Sequence, residues 1–325
     1  MSYQFDPDFQ ACDKKALQAL GLPPDQPTPR FTGGDVESRR AGRPFYRKLL
    51  DLGGDVPGIT KTQLDIRTDD GFQIPIFAYR RADQQGFAGL QPAVLSIHGG
   101  GMILGDTETF EPSTKADVAT TGVAHFSPDY RLAAEAPHPT PVEDCYAALV
   151  WLHSEAENLG IDKSRIAVSG LSAGGGLAAA VALLARDRGL YPPLAKQILL
   201  EPMLDDRTTE EDHELAPFVT WSWDDNWTGW NALLGGGLGG NKVSPYAAPA
   251  RTEDLIGLPP TYIDVGNLDI FAKEDELYAK GLADAGVKVE WHLHQGVPHG
   301  FELRAHGSEI LQRAMKHRQA AIKSF

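Results

Sequence analysis

Three short runs, AVLSIH at 93–98, IAVSG at 166–170 and QILLE at 197–201, are apolar almost without alternation. A strand with one wet face alternates, whereas a parallel strand covered by helices on both faces is apolar throughout. Helical patterns lie between these runs, at Pro141 to Asn158 and Ala173 to Arg188, each long enough to cross over to the next parallel strand. This commits the chain to an α/β sheet wrapped by helices.

In full, eight β-rich runs are expected, at about 62–68, 73–80, 92–98, 122–127, 164–169, 196–201, 261–266 and 288–294. The first two, TQLDIRT and QIPIFAY, are joined by Asp69-Asp70-Gly71, whose turn chemistry predicts an antiparallel hairpin. Further helices are expected at Lys273 to Ala285 and Ser308 to Ser324. Two regions stand outside the alternation. Residues 1–55 read as helices at Phe9 to Leu20 and Asp35 to Leu52 around a Pro-rich link, and residues 203–245 hold Trp221, Trp223, Trp227 and Trp230 before a Gly-rich stretch. The tryptophan segment reads either as a helix packing an aromatic stripe on the core or as a lid over the strand ends. The sheet domain is then expected over 56–202 and 246–325, with 1–55 and 203–245 outside it.

Charge narrows the partners. Thirty basic against 44 acidic residues give a formal −14, which disfavours nucleic acid and anionic membrane surfaces. The polar, acidic start lacks the pattern of a secretory leader, and the longest apolar stretch, LAAAVALLA at 177–185, is too short to span a bilayer, so a cytoplasmic protein without a membrane anchor is expected. Cys12 and Cys145 provide neither a disulfide framework nor a thiolate metal site.

Chemistry is concentrated in a few segments. Gly170-Leu171-Ser172-Ala173-Gly174 directly follows the apolar run RIAVS and directly precedes an Ala-rich helical run. In that strand-turn-helix setting G-x-S-x-G presents an exposed nucleophilic serine, and the helix N-terminus adds partial positive charge. A serine hydroxyl needs a base oriented by a carboxylate. Of ten histidines, His299 is first choice, because it sits in a loop after the last β run and before the last helix. The acid is expected at Asp269, just past the run TYIDVG, ahead of Asp264, Glu274 and Asp275. His98-Gly99-Gly100-Gly101 ends a strand in bare backbone, so the amides of Gly100, Gly101 and Ala173 are expected to receive an oxyanion. His98 itself is expected to hold the glycine loop. A substrate pocket is expected among Trp221, Trp223, Trp227, Met102, Leu171 and Phe301. His292 and His294 share one strand face, but no third ligand pattern accompanies them, and the three glycines lack the Lys-Ser/Thr of a phosphate-binding loop.

With these residues in hand the chain resembles the hormone-sensitive-lipase-like carboxylesterases, the α/β-hydrolase-3 group of the α/β-hydrolase fold. His98 to Gly101, Asp129-Tyr130-Arg131-Leu132, Gly170 to Gly175, Pro202 to Asp206 and Pro298-His299-Gly300-Phe301 are similar to family motifs and stand in family order. The resemblance implies a mostly parallel eight-stranded sheet with a helical cap made by the N-terminal helices and the insertion after the sixth strand. It implies cleavage of short- to medium-chain acyl esters through Ser172, His299 and Asp269, without cofactor or metal. Family members are often dimers, so a homodimer is an expectation of the resemblance. Another acyl bond (amide, lactone or carbamate) is the nearer alternative, and a non-catalytic receptor on the same scaffold the more distant one. Three positions depart from the pattern: Leu171 where an acidic residue is common, Ala134 in place of a proline, and Ile-Phe-Ala-Lys-Glu-Asp after Asp269.

Overall fold

A computed structural model describes residues 3–84 and 89–325. The strands are β1 (Ile59–Arg67), β2 (Gln73–Arg81), β3 (Gln91–Ile97), β4 (Ala124–Pro128), β5 (Ile161–Leu171), β6 (Lys196–Leu200), β7 (Thr261–Leu268) and β8 (Val289–Pro298). They form one eight-stranded sheet in the order β1-β2-β4-β3-β5-β6-β7-β8. Only β2 runs antiparallel to its neighbours, and the rest pair in parallel. The expected hairpin is there, with Arg67 opposite Gln73 and Gly71 at φ +84 in the turn.

Burial on both faces explains the continuous apolar runs. Leu95, Val168, Leu199 and Ile263 point into the larger core beneath helices α5 (Thr140–Glu155) and α6 (Ala173–Asp187), whereas Val94, Ala167, Ile198 and Tyr262 face Ala321 and Ile322 of α9 (Glu309–Lys323). Helix α6 is buried from Ala173 to Ala185, so small side chains line nearly its whole surface and let it approach β5, β6 and α5 closely. Helix α8 (Ala272–Asp284) covers β7 and β8.

Chain order and strand order reverse at one place. From β3 the chain goes to β4 on one side and then crosses to β5 on the other. Sheets of this kind bind ligands outside the strand ends at such a switch point. The glycine loop follows β3 and Ser172 follows β5, so both lie at that crevice.

The N-terminal residues form α1 (Pro7–Ala19), α2 (Val36–Ala41) and α3 (Arg43–Asp51). The single helix expected from Asp35 to Leu52 is therefore two, broken at Gly42. Pro44 has no N–H to give and disfavours helical backbone before it, so a new helix starts there. Asp6 caps α1 by accepting the amides of Asp8 and Phe9, 2.9 Å each, and the Asp6 amide donates to the Gly296 carbonyl at 2.8 Å, tying this segment to the end of β8. Helix α7 (Trp223–Leu234) supplies the insertion, started by a capping box between Ser222 and Asp225. Helix α4 (Glu111–Thr121) has no counterpart among the helices expected from the sequence. Its sequence, EPSTKADVATT, buries only Thr114 and Val118 and carries almost no apolar periodicity.

Candidate active site

Ser172 sits at φ 58, ψ −121 between β5 and α6. A non-glycine residue there costs about 1–3 kcal/mol and persists only when its surroundings fix it. Here the Ser172 amide donates to the Leu200 carbonyl at 2.7 Å, and its carbonyl accepts the amides of Gly176 and Met203 at 3.0 Å each. A Cβ at Gly170 would lie 2.0 Å from the Gly174 carbonyl oxygen, which is why the bend requires glycine.

The structure brings Ser172, His299 and Asp269 together. His299 Nε2 lies 2.8 Å from Ser172 Oγ, and His299 Nδ1 lies 2.6 Å from an Asp269 carboxylate oxygen. Nδ1–H donates to Asp269, which leaves Nε2 to accept the serine proton. Asp269 is buried and also accepts the Phe271 amide at 3.0 Å. The histidine ring packs edge-on against Phe271, and its carbonyl accepts the hydroxyl of Thr220. Burial lowers the His299 pKa, but the charge and hydrogen bond of Asp269, helped by Glu302 and Asp225, outweigh it, so the net direction is upward from 6.5.

The other carboxylates weighed for the acid are engaged elsewhere. Asp264 pairs with Arg318 at 2.7 and 3.0 Å, and Glu274 accepts the amides of Leu204 and Asp205. Asp275 lies in α8. His294 faces Asp264, and His292 stacks on His317, so the two strand histidines do not converge on a common point with a third ligand. Among the described residues one group has donor atoms within 4.8 Å of one another, Glu201, Asp269 and His299. A cation bound there would displace the His299–Asp269 hydrogen bond.

Gly100 stands at φ +118, where a Cβ would lie 2.0 Å from the Leu104 carbonyl oxygen. The loop is fixed from outside: the Ala133 amide donates to the Met102 carbonyl at 2.7 Å, and the Tyr130 hydroxyl donates to the His98 carbonyl at 3.0 Å. His98 stacks on Tyr130 and its Nδ1–H donates to the Gly99 carbonyl at 2.8 Å, the loop-holding contact expected of it. Among the described residues nothing accepts the amides of Gly100, Gly101 or Ala173.

Ser172 and His299 open into a largely apolar cavity of about 410 Å³, which Gly100 and Gly101 also line. Of the side chains expected to shape it, Leu171 and Trp221 do so. The other four do not. Trp223 packs into the core on the inner side of α7, and Trp227 lies 40% exposed, against Gly33 and Gly34. Met102 is fully buried in the core at φ 62, and Phe301 is buried beside Arg318 and His294. Much of the remaining wall comes from Leu17, Leu22, Pro29, Phe31, Phe45 and Leu49 of the N-terminal segment, whose place over the site no local pattern reveals, and Leu104, Phe110 and Leu303 add to it. Arg39 and Asp225, a buried pair at 2.8 Å, join that wall to α7. Glu201 was likewise missed; the one visible sign is a glutamate ending an otherwise apolar strand, QILLE.

Residues 94–303 match the alpha/beta hydrolase fold family. Esterase LipI of Mycobacterium tuberculosis is 37% identical over 213 residues, 65% of each chain, and carboxylic ester hydrolase LipN of the same organism is 35% identical over 268, covering 80% of this chain and 69% of that one. The chain belongs to the hormone-sensitive-lipase-like carboxylesterase family. A solved bacterial heroin esterase superposes with a TM-score of 0.86 at 36% identity, over 98% of this family member and 97% of that chain. The match spans about two thirds of the length of the mycobacterial relatives LipI and NlhH, 65% and 66%. Among the described residues, no helix of this carboxylesterase-family chain is long and apolar enough to cross a membrane.

Proposed function

We propose that the protein hydrolyses carboxylic esters of short to medium acyl chain length by a two-step acyl transfer. The observation that carries this reading is the continuous relay from Ser172 Oγ through His299 to Asp269, at 2.8 and 2.6 Å, opening into an apolar cavity. His299 takes the Ser172 proton as Oγ attacks the ester carbonyl, and the developing oxyanion is received by the amides of Gly100, Gly101 and Ala173. His299 then gives that proton to the departing alcohol, leaving an acyl-serine. Water, deprotonated by His299, attacks the acyl carbon; the carboxylic acid leaves and Ser172 regains its proton. Each step uses groups of this chain, with no cofactor.

The cap reading rests on the same cavity. Residues 1–55 and 203–245 act as the lid, since Phe31, Leu49 and Trp221 from them line the space in front of Ser172. The paired Arg39 and Asp225 leave that wall without a free charge from either, which favours neutral esters. The formal −14 disfavours a nucleic-acid partner, the family supports a homodimer, and a place in the cytoplasm belongs to the same reading.

Hydrolysis of p-nitrophenyl esters from acetate to palmitate by wild type and Ser172→Ala tests the reading. Turnover should peak at short to medium chains and fall at least about a thousandfold in the variant. Inactive wild type would reject the activity, and an undiminished variant would reject Ser172.

A further inference from the structure

Behind His299 lies a second carboxyl group that the relay does not use. Glu201 follows β6, is fully buried, and sits at φ +47, a second strained non-glycine residue at a strand end beside Ser172. Its backbone amide donates to the Asp264 carbonyl at 2.7 Å, and its side-chain Oε2 accepts the amide of Gly300, the residue next to His299. The same oxygen lies 3.4 Å from His299 Nδ1. Since the single Nδ1 proton is committed to Asp269 at 2.6 Å, Glu201 is not its acceptor. The contact to Gly300 is what Glu201 supplies.

We propose that Glu201 is a positioning residue for the base: by holding the Gly300 amide it fixes the loop that sets the His299 ring between Asp269 and Ser172. The inference rests on the esterase reading of that site. The loop needs such a fastening because Gly300 itself is in the left-handed region, φ +65, where the chain turns sharply after His299. A ring displaced by about 1 Å loses near-attack geometry and can slow a reaction about a hundredfold.

The surroundings also decide the charge on Glu201. Burial pushes its pKa well up, Glu302 and Asp269 push the same way, and Arg318 and the Gly300 amide pull it down without prevailing. Asp275 on α8 adds a further acidic neighbour, and His299 faces Glu201 across 3.4 Å. These surroundings disfavour the charged form of Glu201. A carboxyl shifted toward its protonated form puts less negative charge beside the imidazole than a second full anion would, and its oxygen accepts the Gly300 amide in either form.

The test compares Glu201→Ala, Glu201→Gln and Ser172→Ala with wild type on p-nitrophenyl butyrate from pH 5 to 9, with thermal unfolding of each. E201A should lose about 10- to 100-fold in kcat with KM within about twofold, because the geometry of the chemical step suffers and the apolar cavity does not. E201Q, able to accept the same amide, should restore kcat to within about threefold of wild type. If E201A does not fold, Glu201→Leu fills the space without an acceptor and should show the same loss. A kcat within about twofold of wild type in the acceptor-less variant, or an E201Q as slow as it, would each overturn the proposal. Active wild type with inactive S172A and an unaffected E201A overturns this inference alone; inactive wild type overturns the esterase reading and this inference together.

Discussion

Ser172 holds a backbone conformation that its own side chain disfavours, and three backbone hydrogen bonds keep it there. The glycines around it are part of that arrangement. At Gly170 an added methyl would meet the Gly174 carbonyl at 2.0 Å, with backbone rather than a flexible side chain in the way. Gly170→Ala should therefore destabilise the fold by about 3 kcal/mol or more and abolish turnover, as read by urea unfolding and ester hydrolysis. The charge state of His299 gives a second prediction at this scale. The proposed base must be neutral, and the charge and hydrogen bond of Asp269 outweigh burial to raise its pKa from the ordinary 6.5. The rate constant kcat/KM should thus fall tenfold per unit as pH drops below a midpoint above 6.5. A limb centred at or below 6 in a pH–rate profile would show that Asp269 does not act on His299 as described.

The elements fall into those whose sequence carries its own evidence and those whose place depends on distant partners. Strands β3, β5 and β6 were legible because burial on two faces makes them apolar throughout, and Ser172, Asp269, His299 and the glycine loop were legible because each adjoins a strand end. Helix α4 was not, since its packing surface is Thr114 and Val118 rather than a stripe. Of the three tryptophans expected in the pocket, only Trp221 reaches it, and Leu171 joins it there. Helical spacing turns Trp223 and Trp230 into the core, and Trp227 meets the chain at Gly33 and Gly34. What holds α2 against α7 is equally invisible locally: Arg39 and Asp225 are 186 positions apart and meet at 2.8 Å, both buried. Removing one partner leaves the other charge uncompensated. Asp225→Ala should cost about 3–5 kcal/mol in chemical denaturation. A loss below about 1 kcal/mol would mean that the carbonyls of Phe31, Thr32 and Asp35 suffice for Arg39.

For the molecule as a whole, the switch in strand order sets the site. It leaves the ends of β3 and β5 side by side, so that the glycine loop and Ser172 converge, while β7 and β8 deliver Asp269 and His299 from the other side. The N-terminal segment and the insertion after β6 then close the apolar space above. Everything in that account converges on one covalent species, an ester between the substrate acyl group and Ser172. Intact-protein mass spectrometry of wild type quenched with acid during turnover of p-nitrophenyl butyrate, followed by peptide mapping, looks for it directly. The account predicts a single butyryl adduct on the peptide containing Ser172, absent from Ser172→Ala. Turnover by wild type with the adduct on another residue, or sustained by Ser172→Ala, would contradict it.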